Sequence, residues 1–187
     1  SLISPTQATI NLNRELRYAK VNVADDYGHN KDDTPRSDSI YDIVYANAKN
    51  TWNNLLGRVD VVDPGDLTGT NVKHLSVFYS NLARGLAFPR RIDEVDINGK
   101  MVHYSPYDPR GGTHDGPLCT DNGFWDTFRA VFPFFTIMYP DYTSQIMQGL
   151  VNTYNESGWL PEWASPGHRD CMVGSNSTIN IADAYLR

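Results

Sequence analysis

The sequence predicts an all-α protein, part of an (α/α) helical barrel with short extended or hairpin segments. Three observations predict it: apolar residues recur at helical spacing in several long stretches, turn-rich segments separate them, and no strand–helix alternation runs along the chain. The chain is expected to open with extended chain and loops, and the polar run from Asp25 to Ser39 reads as a loop. Ile40, Val44, Ala48, Trp52 and Leu55 then form a helical stripe, with Ser37 or Asp38 to cap its start and Gly57 to end it. "VDPGDLTG" is a turn, after which Leu75, Phe78, Leu82 and Leu86 form a second stripe stopped by Pro89. The Asn98-Gly99 pair in "DINGKMVHY" marks a short hairpin. A third helix follows Trp125, with Pro133 either bending it or beginning a new turn. A fourth, "TSQIMQGLVNTYNESG", puts Ile146, Leu150 and Tyr154 on one face and closes at Gly158 in a left-handed cap. A fifth begins near Ile179; its stripe is still running at Arg187 with no Gly or Pro terminator, so the chain is expected to continue.

Composition narrows the function. An apolar fraction of 40% with 20% charged residues is a globular balance, and the net charge of −6 disfavours nucleic acid and anionic lipid. No stretch approaches the roughly 20 apolar residues of a membrane span, so neither a nucleic-acid nor a membrane partner is expected. Cys119 and Cys171 fit one disulfide or two free thiols. The sequons at Asn155 and Asn176 are about what the abundance of Asn, Ser and Thr yields. The 11 Tyr, 4 Trp and 7 Phe stand often near Asp, Asn and Gly. That mixture suits core packing first, and also sugar recognition, where flat rings cover C–H faces and carboxylates take hydroxyls.

Three constellations carry candidate chemistry. In Trp125-Asp126-Thr127-Phe128-Arg129, Asp126 either caps the helix through Phe128 or Arg129 N–H, with Trp125 as a staple, or receives vicinal sugar hydroxyls against a Trp125 wall. The two roles are compatible, because a carboxylate has about four lone-pair sites. In "GWLPEWASPGHRDCMVG", Trp159, Glu162, Trp163, His168, Arg169, Asp170 and Cys171 share one loop. Glu162 there is either a general acid between aromatics or a solvated partner of Arg169, and His168 with Cys171 lacks the further ligands of a zinc site. Asp93, Glu94 and Asp96 alternate loosely like calcium ligands but miss the Gly and Glu of an EF-hand loop, which favours a solvated hairpin face.

The order of "SLISPTQATINLNREL", "NTWNNLLGRVDV", "FYSNLARGLAFPR", "FWDTFRAVFPFF", "GWLPEW", "CMVGSNS" and "IADAYLR" resembles glycoside hydrolase family 92, the calcium-dependent exo-α-mannosidases. The resemblance implies that residues 1–187 are the N-terminal part of a helical-barrel glycosidase catalytic domain that continues beyond 187. It implies hydrolysis of terminal α-mannose with inversion, assisted by calcium, on a mannose-containing glycan. Trp125 and Asp126 would then belong to the pocket of the terminal mannose. The general acid, the general base and the calcium ligands are expected beyond Arg187, so the remainder of the same polypeptide is an obligatory partner and no metal ligand is assigned here. Where relatives carry a Gly-Asn-Glu-Thr-like run, this chain reads Ala164-Ser165-Pro166-Gly167-His168-Arg169-Asp170. Such an enzyme is expected outside the cytosol, secreted or periplasmic in a bacterium. The alternatives are another helical-barrel glycosidase and a non-catalytic carbohydrate-binding module.

Overall fold

The computed structural model describes residues 1–26, 40–61 and 70–187. They fall into two compact units, one formed by Pro5–Tyr79 and one by Ser1–Ser4 with Ser80–Arg187. Helix is the main element, and three small antiparallel sheets accompany it, which corrects the all-α expectation.

The first unit holds α1 (Pro5–Asp26), α2 (Ile40–Leu56) and the first part of α3 (Thr70–Leu86). The expected extended opening is instead the 22-residue α1. "PTQATINLNREL" has Pro at the first helical position, which the helix tolerates, but too few apolar residues to announce itself as a stripe. The predicted stripe of α2 is helical as expected, yet Val44 and Trp52 remain exposed. Gly57 closes that helix, its N–H donating to the Asn53 carbonyl at 2.9 Å. The expected cap at Ser37 or Asp38 and the turn "VDPGDLTG" lie outside the described residues. The Tyr79 hydroxyl donates to the Val59 carbonyl at 2.9 Å, fastening the chain after α2 to α3.

The second unit begins its strands after Pro89. β1 (Arg90–Arg91) and β5 (Cys119–Thr120) form one two-stranded sheet; β2 (Asp93–Val95), β3 (Met101–Tyr104) and β4 (Thr113–Asp115) form a three-stranded meander. The Asn98-Gly99 hairpin is the β2–β3 connection, with Gly99 at φ +82, a conformation that favours glycine. β6 (Asn122–Gly123) pairs with β7 (Trp163–Ala164). Between them lie α4 (Phe124–Thr127), α5 (Val131–Met138) and α6 (Pro140–Ser157), and α7 (Asn176–Leu186) follows.

Pro133 falls in the first turn of α5, where no intrahelical N–H is required, so the chain starts a new helix rather than bending one. Gly158 ends α6 with φ +80, the left-handed cap expected, its N–H bonded to Tyr154 O at 2.7 Å. The buried face of α6 differs from the expectation. Thr143, Ile146, Leu150 and Thr153 are covered, whereas Tyr154 is 53% exposed. The core packs Phe124, Phe132, Phe135 and Tyr139 in edge and stacked ring contacts, with Leu118, Ile146 and Leu150 around them. No helix among the described residues is long and apolar enough to cross a membrane.

Candidate active site

The Trp-Asp pair sits in α4, a helix of four residues held by backbone rather than by a side-chain cap. β6 runs into it, and the ladder to β7 places Asn122 opposite Ala164 and Gly123 opposite Trp163. The Phe124 N–H donates to the Glu162 carbonyl at 3.1 Å, and the Asp121 N–H to Ala164 O at 2.7 Å. Thr127 Oγ1 donates to Gly123 O at 3.0 Å and accepts from the buried Asn122 amide at 3.2 Å, closing the turn from within.

The position before the helix is Gly123, which makes no side-chain cap, so Asp126 is not the cap proposed for it. It lies inside the turn, and Phe128 N–H bonds to Phe124 O at 3.0 Å instead. The helix-dipole argument for Asp126 also falls away, because a single turn gathers few aligned peptide units. Trp125 is 40% exposed and therefore not a buried staple. Arg129 stacks its guanidinium over the indole at 4.5 Å and over Phe128 at 4.6 Å, and it also donates to Trp125 O. Among the described residues Asp126 has no hydrogen-bond or ion-pair partner.

Gly123 brings the first two constellations together. A Cβ placed there would meet the Trp163 ring at 2.7 and 2.8 Å and Asp126 Oδ2 at 3.1 Å. The Trp163 indole and the Asp126 carboxylate thus share the surface of one glycine. The Asp126 carboxylate beside the Trp163 ring, one residue after the exposed Trp125, combines an aromatic face with an unpartnered carboxylate, a pairing that suits hydroxyl groups on a sugar ring.

The remaining residues of the second constellation take other places. Glu162 contributes its main-chain carbonyl to the mouth of α4, and Arg169 donates to the Ser165 carbonyl at 2.6 Å rather than to Glu162. Trp159 is 74% exposed. His168 packs on the Tyr107 ring at 4.7 Å and hydrogen-bonds Ser157 Oγ at 2.8 Å; burial lowers its pKa, favouring the neutral ring. Cys119 and Cys171 are both free thiols, and burial pushes the Cys119 thiol up to about 12.

The third constellation is structural. Asp93 takes Arg91 and the Leu118 N–H, Glu94 takes the Leu2 N–H, and Asp96 takes the N–H groups of Asn98 and Lys100 at 2.9 and 2.8 Å across the hairpin turn. Among the described residues no group of three or more His, Cys, Asp or Glu is arranged to hold a metal ion, so these side chains do not form a calcium site.

Sequence reasoning missed Arg90 and Asp121, which form an ion pair beside the ladder. Asp121 has φ +58, the only non-glycine positive φ among the described residues, and its strained backbone turns the chain into β6. An aspartate two residues before a glycine is a faint signal for such a turn, and nothing in the sequence connects it to Arg90.

Comparison with known proteins identifies the family. Residues 29–187 match the family model described as the glycosyl hydrolase family 92 catalytic domain. Among solved structures, the chain is similar to a family GH92 inverting mannosidase from Bacteroides thetaiotaomicron VPI-5482, with 45% identity, a TM-score of 0.78, and coverage of 98% of this chain but 21% of that one. A GH92 alpha-mannosidase from Bacteroides thetaiotaomicron, 19% identical with a TM-score of 0.58 over 76% of this chain and 18% of its own, shares the fold. The chain therefore spans about a fifth of the length of these structures. None of the curated proteins compared with it matches. Match to the family model over most of the chain, together with 45% identity to one member, establishes that the chain belongs to glycosyl hydrolase family 92.

Proposed function

We propose that the polypeptide carrying this segment hydrolyses terminal α-linked mannose from glycans, with inversion and calcium dependence, and that the segment is part of an (α/α) helical barrel. Support comes from the 45% identity to an inverting mannosidase. The observation that carries the reading on this chain is the unpartnered Asp126 carboxylate next to the Trp163 indole at Gly123, one residue after the exposed Trp125.

In this reading Asp126 accepts two neighbouring hydroxyls of the terminal sugar. Charge-assisted bonds of that kind are short and directional, so they fix the ring's orientation. Trp125 supplies the apolar wall for its C–H face, while Arg129 stacked behind the indole holds that wall in place. Inversion needs a general acid and a general base on opposite faces of the sugar. Both are assigned to the polypeptide beyond Arg187, as are the calcium ligands; calcium would grip sugar hydroxyls and help distort the ring. The enzyme would work outside the cytosol, secreted or periplasmic in a bacterium.

A panel of aryl glycosides tests this on the full-length protein. The α-mannoside alone should release its aglycone, the first sugar product should be the β-anomer by proton NMR, and chelation should abolish turnover with calcium restoring it. Release from a different glycoside would make it another helical-barrel glycosidase. Glycan binding without any hydrolysis would make it a non-catalytic carbohydrate-binding module.

A further inference from the structure

A cleft of about 670 Å³ lies between the β3–β4 loop and the last turns of α6, within the size range of small-molecule sites, and shares no residue with the Trp125–Asp126 edge. Tyr107, Asp108, Arg110, His114, Asn155 and Glu156 give it its chemistry.

Its charges are already balanced. Behind it, His103 is fully buried, with Nδ1 2.8 Å from the Gly116 carbonyl and Nε2 2.9 Å from Glu156 Oε1. A carbonyl only accepts, so Nδ1 donates, and a second proton lies between Nε2 and Oε1. Asp108 takes the Arg110 N–H and Nε and the His114 ring. Asp115, at the rim, pairs with Lys100. A ligand of high charge of either sign would therefore have to break an existing pair.

Hydrogen-bonding capacity, by contrast, is left over. Glu156 has a side chain nine-tenths buried, and its Oε2, closed to solvent, has no donor. The Asn155 amide has no partner among the described residues, and Arg110 uses only Nε while its side chain is 88% exposed. The Tyr107 and His114 rings add flat surfaces, and burial pushes the Tyr107 hydroxyl up to about 12, keeping it neutral. Neutral charge balance, spare donors and acceptors and flat rings are the features that recognise a hydroxyl-rich neutral molecule.

We infer that this cleft is a second saccharide-binding site, gripping a glycan through paired hydroxyls on Asn155 and Arg110 against the Tyr107 and His114 rings. The proposed function above enters only in the choice of first probe.

Hydrogen-exchange mass spectrometry on the full-length protein locates it. Saturating mannotriose should slow exchange in segments 105–116 and 150–157. Asn155→Ala and Arg110→Ala should each raise the concentration for half-protection there about fivefold or more, as loss of one or two hydrogen bonds implies. Protection over 121–129 should persist, and kcat/KM on an aryl α-mannoside should stay within about twofold. If mannotriose protects neither segment, maltotriose and cellotriose are tried in turn. Protection by either, in a protein that hydrolyses no α-mannoside, would uphold the cleft while overturning the mannosidase reading. Protection by none, or protection indifferent to both exposed substitutions, overturns the inference.

Discussion

Asp96 and Asp126 each stand in a tight turn beside a glycine, and they end in opposite states. At the hairpin, Asp96 takes two backbone N–H groups and stitches the β2–β3 connection together. At the mouth of α4 the backbone closes through Gly123, Thr127 and Glu162, and Asp126 takes none of it. A carboxylate consumed by local backbone bonds shapes the fold. One left without a partner, beside the half-buried Trp163 indole, is available for a ligand. The same contrast separates the acidic hairpin, whose carboxylates alternate only loosely like calcium ligands, from the Trp-Asp edge, whose sequence suits a helix cap as well as a sugar ligand.

The largest expected effect breaks this comparison if it fails. In the full-length enzyme, Asp126→Asn should lower kcat/KM on an aryl α-mannoside about 10- to 100-fold for each charge-assisted bond lost, with melting temperature unchanged. Because Asp126 caps nothing, Asp126→Ala should be equally harmless to stability. Full activity in folded Asp126→Asn would remove the sugar-binding role.

The glycine beneath the site gives the next effect. Gly123→Ala would drive a methyl group into the Trp163 ring and towards Asp126 Oδ2, and overpacking of this kind costs about 1–3 kcal/mol. Gly99→Ala meets open space, and its cost, about 1–2 kcal/mol, comes from φ +82 alone. Both should lower the melting temperature, but only Gly123→Ala should also lower kcat/KM. Equal activity in the two variants would separate Trp163 from the site.

This pairing also marks the limit of what the sequence reveals. Helices α2, α3, α6 and α7 are legible because apolar residues repeat at their period, and the hairpin because Asn-Gly suits only a few turns. α1 escapes notice because its first half is polar, and Tyr154 is misplaced because threonines take the positions that cover α6. β6 and β7 are two residues each, too short for any alternation to register. Trp125 and Asp126 stand out by residue type. Their meeting with Trp163 depends on a pairing between distant segments that no local pattern encodes, and the same holds for His103 with Glu156.

The smallest expected effect sharpens the comparison from the structural side. Asp108 resembles Asp96 in bonding the N–H two residues on, and that bond with the Arg110 side chain and His114 holds its pKa at about 2 against an ordinary 3.8. Asp96 is lowered too, chiefly by the Lys100 N–H. In each case the fold favours the ionised form. The stabilisation is therefore fully present above the unfolded value near 3.8 and disappears as pH falls through the folded value. Melting curves from pH 6 down to pH 2 should show Asp96→Asn and Asp108→Asn less stable than wild type at the upper end, with the gap closing below about pH 4. The Asp108 side chain keeps only 10% of its surface exposed, so its share of the effect should survive added salt better than that of a surface pair would. A gap that stays constant across this range would mean that these bonds do not distinguish carboxylate from amide, and the division between turn-forming and ligand-facing aspartates would lose its electrostatic basis.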